Sequence, residues 1–114
     1  MEIFKHENGG EYLVVTKYEI WQMGDTRNHK FGFADLPSNI NSISKSDYNL
    51  VYSGEIPTQD NVRLLDQLFY IFNNNRPTDY HGHSLSISDV VVLNGTAYRC
   101  QSAGWKNVKL MNHR

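Results

Sequence analysis

The dipeptide Asn94-Gly95 separates an apolar run, Asp89 to Leu93, from a second strand-like run, Thr96 to Gln101. A two-residue type I′ turn needs positive φ at both central positions, and asparagine followed by glycine meets that demand at the least steric cost. The pair therefore predicts a β-hairpin, and the rest of the chain is read as arranged around it. Just upstream lies a polar loop, Asp79 to Ser88, which holds the one local cluster of histidines, His81 and His83.

The other elements follow from periodicity and punctuation. After the turn signal Glu7-Asn8-Gly9-Gly10, residues Glu11 to Trp21 read as a first strand. From Thr26 to Ser46 the pattern is irregular, broken by Gly32 and Pro37, with one short helical turn near Phe33 to Leu36. The polar tract Ser38 to Ser46 is a loop by composition, and Ile40 and Ile43 are spaced to dock a single turn on the core. Asp47 to Ile56 reads as a second strand, with Tyr48, Leu50 and Tyr52 on one face and Asn49, Val51 and Ser53 on the other, a bulge at Gly54 and a stop at Pro57. A helix is predicted over Asp60 to Asn73, capped by Thr58 or Asp60, with Val62, Leu65, Leu68, Phe69 and Phe72 as its core stripe. Asn73-Asn74-Asn75-Arg76-Pro77 ends it, because asparagine tolerates the left-handed cap and proline cannot continue the ladder. Trp105 supplies one bulky ring after the hairpin, and residues 109–114 read as a frayed polar tail. The fold class is a small α+β domain: a mainly antiparallel sheet of four to five strands packed on one principal helix.

Composition bounds what such a domain does. At 114 residues the chain suits a single core. Eleven basic residues against 12 acidic ones, a net charge of −1, leave no footprint for nonspecific phosphate binding, so nucleic acid is disfavoured as the main ligand. Cys100 is the single cysteine, which excludes an intramolecular disulfide and suits a reducing compartment. The N-terminal residues show no secretory pattern and no run reaches membrane-spanning length, so a cytoplasmic, membrane-free protein is expected.

Two stretches carry a resemblance. Arg76-Pro77, Asp79-Tyr80, the run Gly82-His83-Ser84-Leu85-Ser86-Ile87-Ser88-Asp89-Val90-Val91, Tyr98, and Ser102 with Gly104-Trp105 resemble the YodL-like domain family, as does the strand Tyr48 to Ile56. The likeness covers roughly the C-terminal two thirds. It implies a domain of the kind found in Firmicutes, their phages and conjugative elements, with no general enzymatic activity attached. What it implies for this chain is a small accessory protein acting by contact on a host protein, an anti-defence role such as blocking a CRISPR nuclease being one extension.

The residues themselves leave three readings of function. In the first, the chain is a non-enzymatic protein-binding module without cofactor, its contact surface drawn from the aromatic side chains Tyr12, Tyr18, Trp21, Phe31, Phe33 and Trp105 together with His81 and His83, since aromatic anchors dominate contact energies when they fill a partner's pocket. In the second, His81 and His83, two residues apart in an extended loop, point the same way and recruit Asp79, Asp89 or Cys100 to a metal, or His83 activates Ser84 as a hydrolytic nucleophile. No Gly-x-Ser-x-Gly elbow or further ligand motif accompanies them. On the bland view, Ser84, Ser86, Ser88 and Asp89 instead satisfy backbone amides where the loop meets the strand. The third reading, a nucleic-acid accessory, rests only on Lys106, Lys109 and Arg114 near Trp105.

Overall fold

A computed structural model describes the backbone of residues 3–5 and 11–112 and the side chains of residues 14–112. In chain order the elements are β1 (Ile3–Lys5), β2 (Glu11–Leu13), β3 (Val15–Met23), β4 (Ser42–Ser44), a 3₁₀ turn (Lys45–Asp47), β5 (Tyr48–Pro57), α1 (Asn61–Asn74), β6 (Val90–Leu93), β7 (Thr96–Gln101) and β8 (Gly104–Met111). β1 and β2 form a two-stranded antiparallel pair. The main sheet has six strands in the order β4-β8-β7-β6-β3-β5, antiparallel at every junction except the parallel β4–β8 pair. The α+β class holds. The expected four to five strands were too few, because β4 is hidden in a serine-rich tract with no strand-like composition.

The hairpin stands at the centre, as its turn chemistry demands. Asn94 and Gly95 both have positive φ, 46° and 89°. Asn94 also stitches the turn to β3, its Oδ1 accepting from the Lys17 amide at 3.0 Å while its own amide donates to the Lys17 carbonyl at 2.9 Å. All four residues of β6 are buried because each face of the sheet is covered by a different layer. Val91 and Leu93 join Tyr18, Ile20, Ile56, Leu64, Leu68 and Phe72 under the helix. Val90 and Val92 join Met23, Leu36, Tyr48, Ala97 and Val108 on the opposite face, where the segment 24–41 lies across the sheet and Phe31, Ile40 and Ile43 dock.

Asp60 is the helix cap: its carboxylate accepts from the Arg63 amide at 3.0 Å, satisfying a donor the helix cannot. Leu64, Leu65, Leu68 and Phe72 form the buried stripe, each worth about 1.5–3 kcal/mol in apolar burial. Val62 and Phe69, expected in that stripe, are exposed at 70% and 39%. At 3.6 residues per turn the stripe centres on Leu64, Leu68 and Phe72, which leaves Val62 and Phe69 off it.

Several expectations need correcting. The first strand is interrupted at Val14, so β2 and β3 belong to different sheets. Tyr48, Leu50 and Tyr52 do not share a face: the register jumps from Ile20↔Tyr52 to Trp21↔Leu50, so Val51 is an extra residue and the strand bulges there. Tyr48 consequently packs on the segment side and Tyr52 on the helix side. The bulge falls at Val51 and not at Gly54. Gly54 instead permits close packing, since a Cβ there would lie 2.7 Å from Tyr18 Oη. Lys109 to Met111 do not fray; they extend β8 and pair with β4. Residues 113–114 lie outside the described residues.

Candidate functional site

The polar run before β6 folds around one buried carboxylate. Asp89 is 0% exposed, and its Oδ2 accepts from the Ser86 amide at 2.9 Å and from Gln22 Nε2 at 3.2 Å, while Oδ1 has no protein partner. Burial pushes the Asp89 carboxyl up to about 6, against the pull of the Ser86 amide, His83, Gln22 and Arg99. Gln22 ties β3 to this loop through both ends of its amide, Oε1 accepting from the His83 amide at 3.1 Å and Nε2 donating to the His83 carbonyl at 2.9 Å. Tyr80 donates to the same carbonyl at 2.6 Å. Gly82 sits where any Cβ would meet Tyr80 Oη and Gln22 Oε1 at 2.5 and 2.6 Å, so no side chain fits that position without displacing them. At the end of the run Ser88 adopts φ 87°, held by its amide donating to Cys100 and its carbonyl accepting from Tyr48 Oη at 2.8 Å.

The histidines fare differently from one another. His83 Nδ1 lies 2.7 Å from the Ser84 carbonyl, 3.1 Å from Gln22 Nε2 and 3.8 Å from Asp89 Oδ2. His81 is exposed and takes no part in this network. Among the described residues no three His, Cys, Asp or Glu side chains gather as a metal would require. Of the hydroxyls expected to satisfy amides here, Ser88 Oγ is buried without a partner, and the Asp89 carboxylate does that work for Ser86. Burial, and next the Asp89 carboxylate, push the Cys100 thiol up to about 11, which keeps it protonated.

This loop builds one wall of a groove on the helix face. Leu85, Ser86 and Ile87 line it on one side, the helix residues Asp66 and Phe69 on the second, and Cys100, Gln101, Ser102, Gly104 and Trp105 of the β7–β8 hairpin on the third, enclosing about 480 Å³. Trp105 and Phe69 meet edge to face, with centroids 6.3 Å apart and planes at 85°. Register places Trp105 opposite Cys100, so both project to the helix face. The hairpin tip is fixed by Asp35, whose two carboxylate oxygens accept from the Ser102 amide at 2.7 Å and the Ser102 hydroxyl at 2.5 Å. Those bonds hold the Asp35 carboxyl below the usual carboxylate range.

The remaining aromatic candidates are scattered. Tyr18 is core, packed against Tyr52 and Phe72. Trp21 is half-buried on the opposite face, its Nε1 donating to Glu19 at 3.0 Å under the Lys45 ammonium. Phe31 docks beside the second cluster, and Phe33 is exposed with φ 56°. The side chain of Tyr12 lies outside the described residues. Of the candidates whose side chains are described, Trp105 alone lines the groove, and His83 approaches it through the loop it anchors.

Two residues that shape the structure escaped sequence reasoning. Gln22 reads as an ordinary polar position in an alternating strand. Arg99 is fully buried, its two Nη atoms donating at 2.8 Å to the carbonyls of Ala34 and Phe31 and to Gln101 Oε1. It clamps the 24–41 segment to the sheet. Its signal was a charge in the middle of the central hairpin, on the same face as Ala97.

Among the described residues one helix against a six-stranded mixed sheet, with a polar loop-and-hairpin end to that helix face, defines a small α+β domain. The family model of the YodL-like domain matches residues 17–110, and the chain belongs to that family. No curated protein and no solved structure matches it. No helix among the described residues is long and apolar enough to cross a membrane.

Proposed function

We propose that the chain is a non-enzymatic protein-binding module, an accessory protein that modulates a host protein, and that its contact site is the groove between α1 and the β7–β8 hairpin. The observation that carries this is the exposed Phe69 stacked edge-on against Trp105 over an apolar floor of Leu85, Ile87 and Cys100. Aromatic rings held rigidly beside a concavity are what a partner's side chain pays least entropy to engage. His83 and Asp89 act in this reading as architecture, holding the wall in place. An anti-defence role, such as inhibition of a CRISPR nuclease, is the finer form of the same proposal.

The test is co-purification of the tagged chain with its partner from the cell in which it acts. Phe69→Ala and Trp105→Ala are expected to abolish the complex while His81→Ala leaves it intact. Stoichiometric bound metal, or loss of function in a folded His81→Ala/His83→Ala variant with the groove untouched, would favour the enzymatic alternative centred on His81-Gly82-His83-Ser84.

A further inference from the structure

The groove is asymmetric in charge. Of the side chains lining it, Asp66 is the one carboxylate, and no lysine or arginine lines it. Asp66 is exposed and makes no ion pair among the described residues. Its natural intrahelical partner is three residues back: Arg63 is the base on this stretch of α1, but its Nε is drawn to the cap carboxylate of Asp60 at 3.4 Å. The nearest base of the hairpin, Lys106, turns away, its ammonium donating to the carbonyls of Pro37 and Ser38 at 3.2 and 3.3 Å. An apolar, aromatic-walled concavity thus carries one carboxylate, Asp66, with no ion-pair partner among the described residues.

We infer that the groove takes a protein segment in which an apolar or aromatic anchor stands next to an arginine or lysine, the anchor seated against Trp105 and Phe69 and the base paired with Asp66. The inference rests on the groove being the contact site. Complementary charge at the rim of a pocket selects partners and sets register more than it adds affinity. An acidic neighbour to the anchor would meet Asp66 as a like charge.

A random-peptide library displayed on phage and panned against the full chain tests it. Binders are sorted first by sensitivity to Trp105→Ala, with Phe69→Ala as the second variant because an exposed helix position tolerates truncation, and circular dichroism confirms that each variant is folded. The expected result is that groove-dependent peptides carry Arg or Lys beside a bulky apolar residue, and that Asp66→Lys weakens them by up to about five-fold, the scale of one rim ion pair, and enriches acidic sequences instead. Groove-dependent peptides with no basic bias, or indifferent to Asp66→Lys, would overturn this inference and leave the groove as the contact site. If no binder responds to either aromatic truncation, the contact site itself is wrong and the inference falls with it.

Discussion

Replacing Asp89 by asparagine isolates the free energy stored in one buried charge. The carboxyl is fully buried and its Oδ1 has no partner, so the fold favours the protonated form and lifts the group from 3.8 to about 6. A folded-state value above the unfolded one means that the folded chain holds more protons between about pH 4 and 6. The stabilising contribution is therefore complete below the unfolded value and is lost as pH rises through 6. At 1.36 kcal/mol per pH unit the span is roughly 3 kcal/mol. In Asp89→Asn the amide oxygen still accepts from Ser86 and Gln22, and the amide nitrogen replaces the oxygen that lacks a partner. The variant cannot ionise, so its stability should carry no slope from this site. Urea unfolding of both proteins from pH 4 to 8, followed by tryptophan fluorescence, gives the difference in stability, which cancels other groups such as Asp35, whose lowered carboxyl acts with the opposite sign. The expected difference moves in favour of asparagine by roughly 2–3 kcal/mol across that range. A flat difference, or one that favours aspartate as pH rises, would refute the reasoning.

Other perturbations probe the remaining contacts. Arg99→Met strips the guanidinium from the carbonyls of Phe31 and Ala34 and should cost roughly 3 kcal/mol, with amide exchange rising first at Gly32 and Ala34 while the helix stays protected; uniform acceleration would argue against a clamp. Gly54→Ala drives a Cβ to 2.7 Å from Tyr18 Oη, within a ring cluster closed by Tyr52 and Phe72, and should lower stability by about 1–3 kcal/mol in thermal melts. A melting temperature unchanged from the parent would show that the cluster yields. The Cys100 thiol, pushed up to about 11 by burial, should react with iodoacetamide at pH 8 about 100-fold more slowly than a free thiol until urea unfolds the chain. Alkylation of the folded protein at a free thiol's rate would contradict the burial.

What the sequence disclosed was whatever rests on local chemistry. Asn94-Gly95 announced its turn because few other residues accept positive φ twice in succession, and Asp60 announced the helix because a short carboxylate before an apolar 3.6-residue rhythm has one obvious use. β4 was silent because its stability comes from β8, which lies more than 60 residues downstream, and not from its serines. The Val51 bulge was invisible for a related reason: alternation continues through the letters, and only pairing with β3 reveals the extra residue. At the candidate site, Trp105 was identified as an interface residue, whereas Phe69 was assigned to the core because a one-residue rotation on a helix wheel separates the two fates. The network of Gln22, His83 and Asp89 joins residues 61 and 67 positions apart, a distance no spacing rule spans.

The Val51 bulge also bears on how the molecule behaves in company. Among the described residues β5 is the outermost strand on its side, and a ten-residue edge would ordinarily form a template along which another chain could zip. Because the pleat changes phase at Val51, an incoming strand in step with Tyr52 to Pro57 arrives out of step at Tyr48 to Leu50, and its hydrogen-bond ladder ends halfway. A single surplus residue thus divides this margin into stretches of three and six residues, so a continuous ladder along all ten cannot form without a matching bulge in the incoming strand.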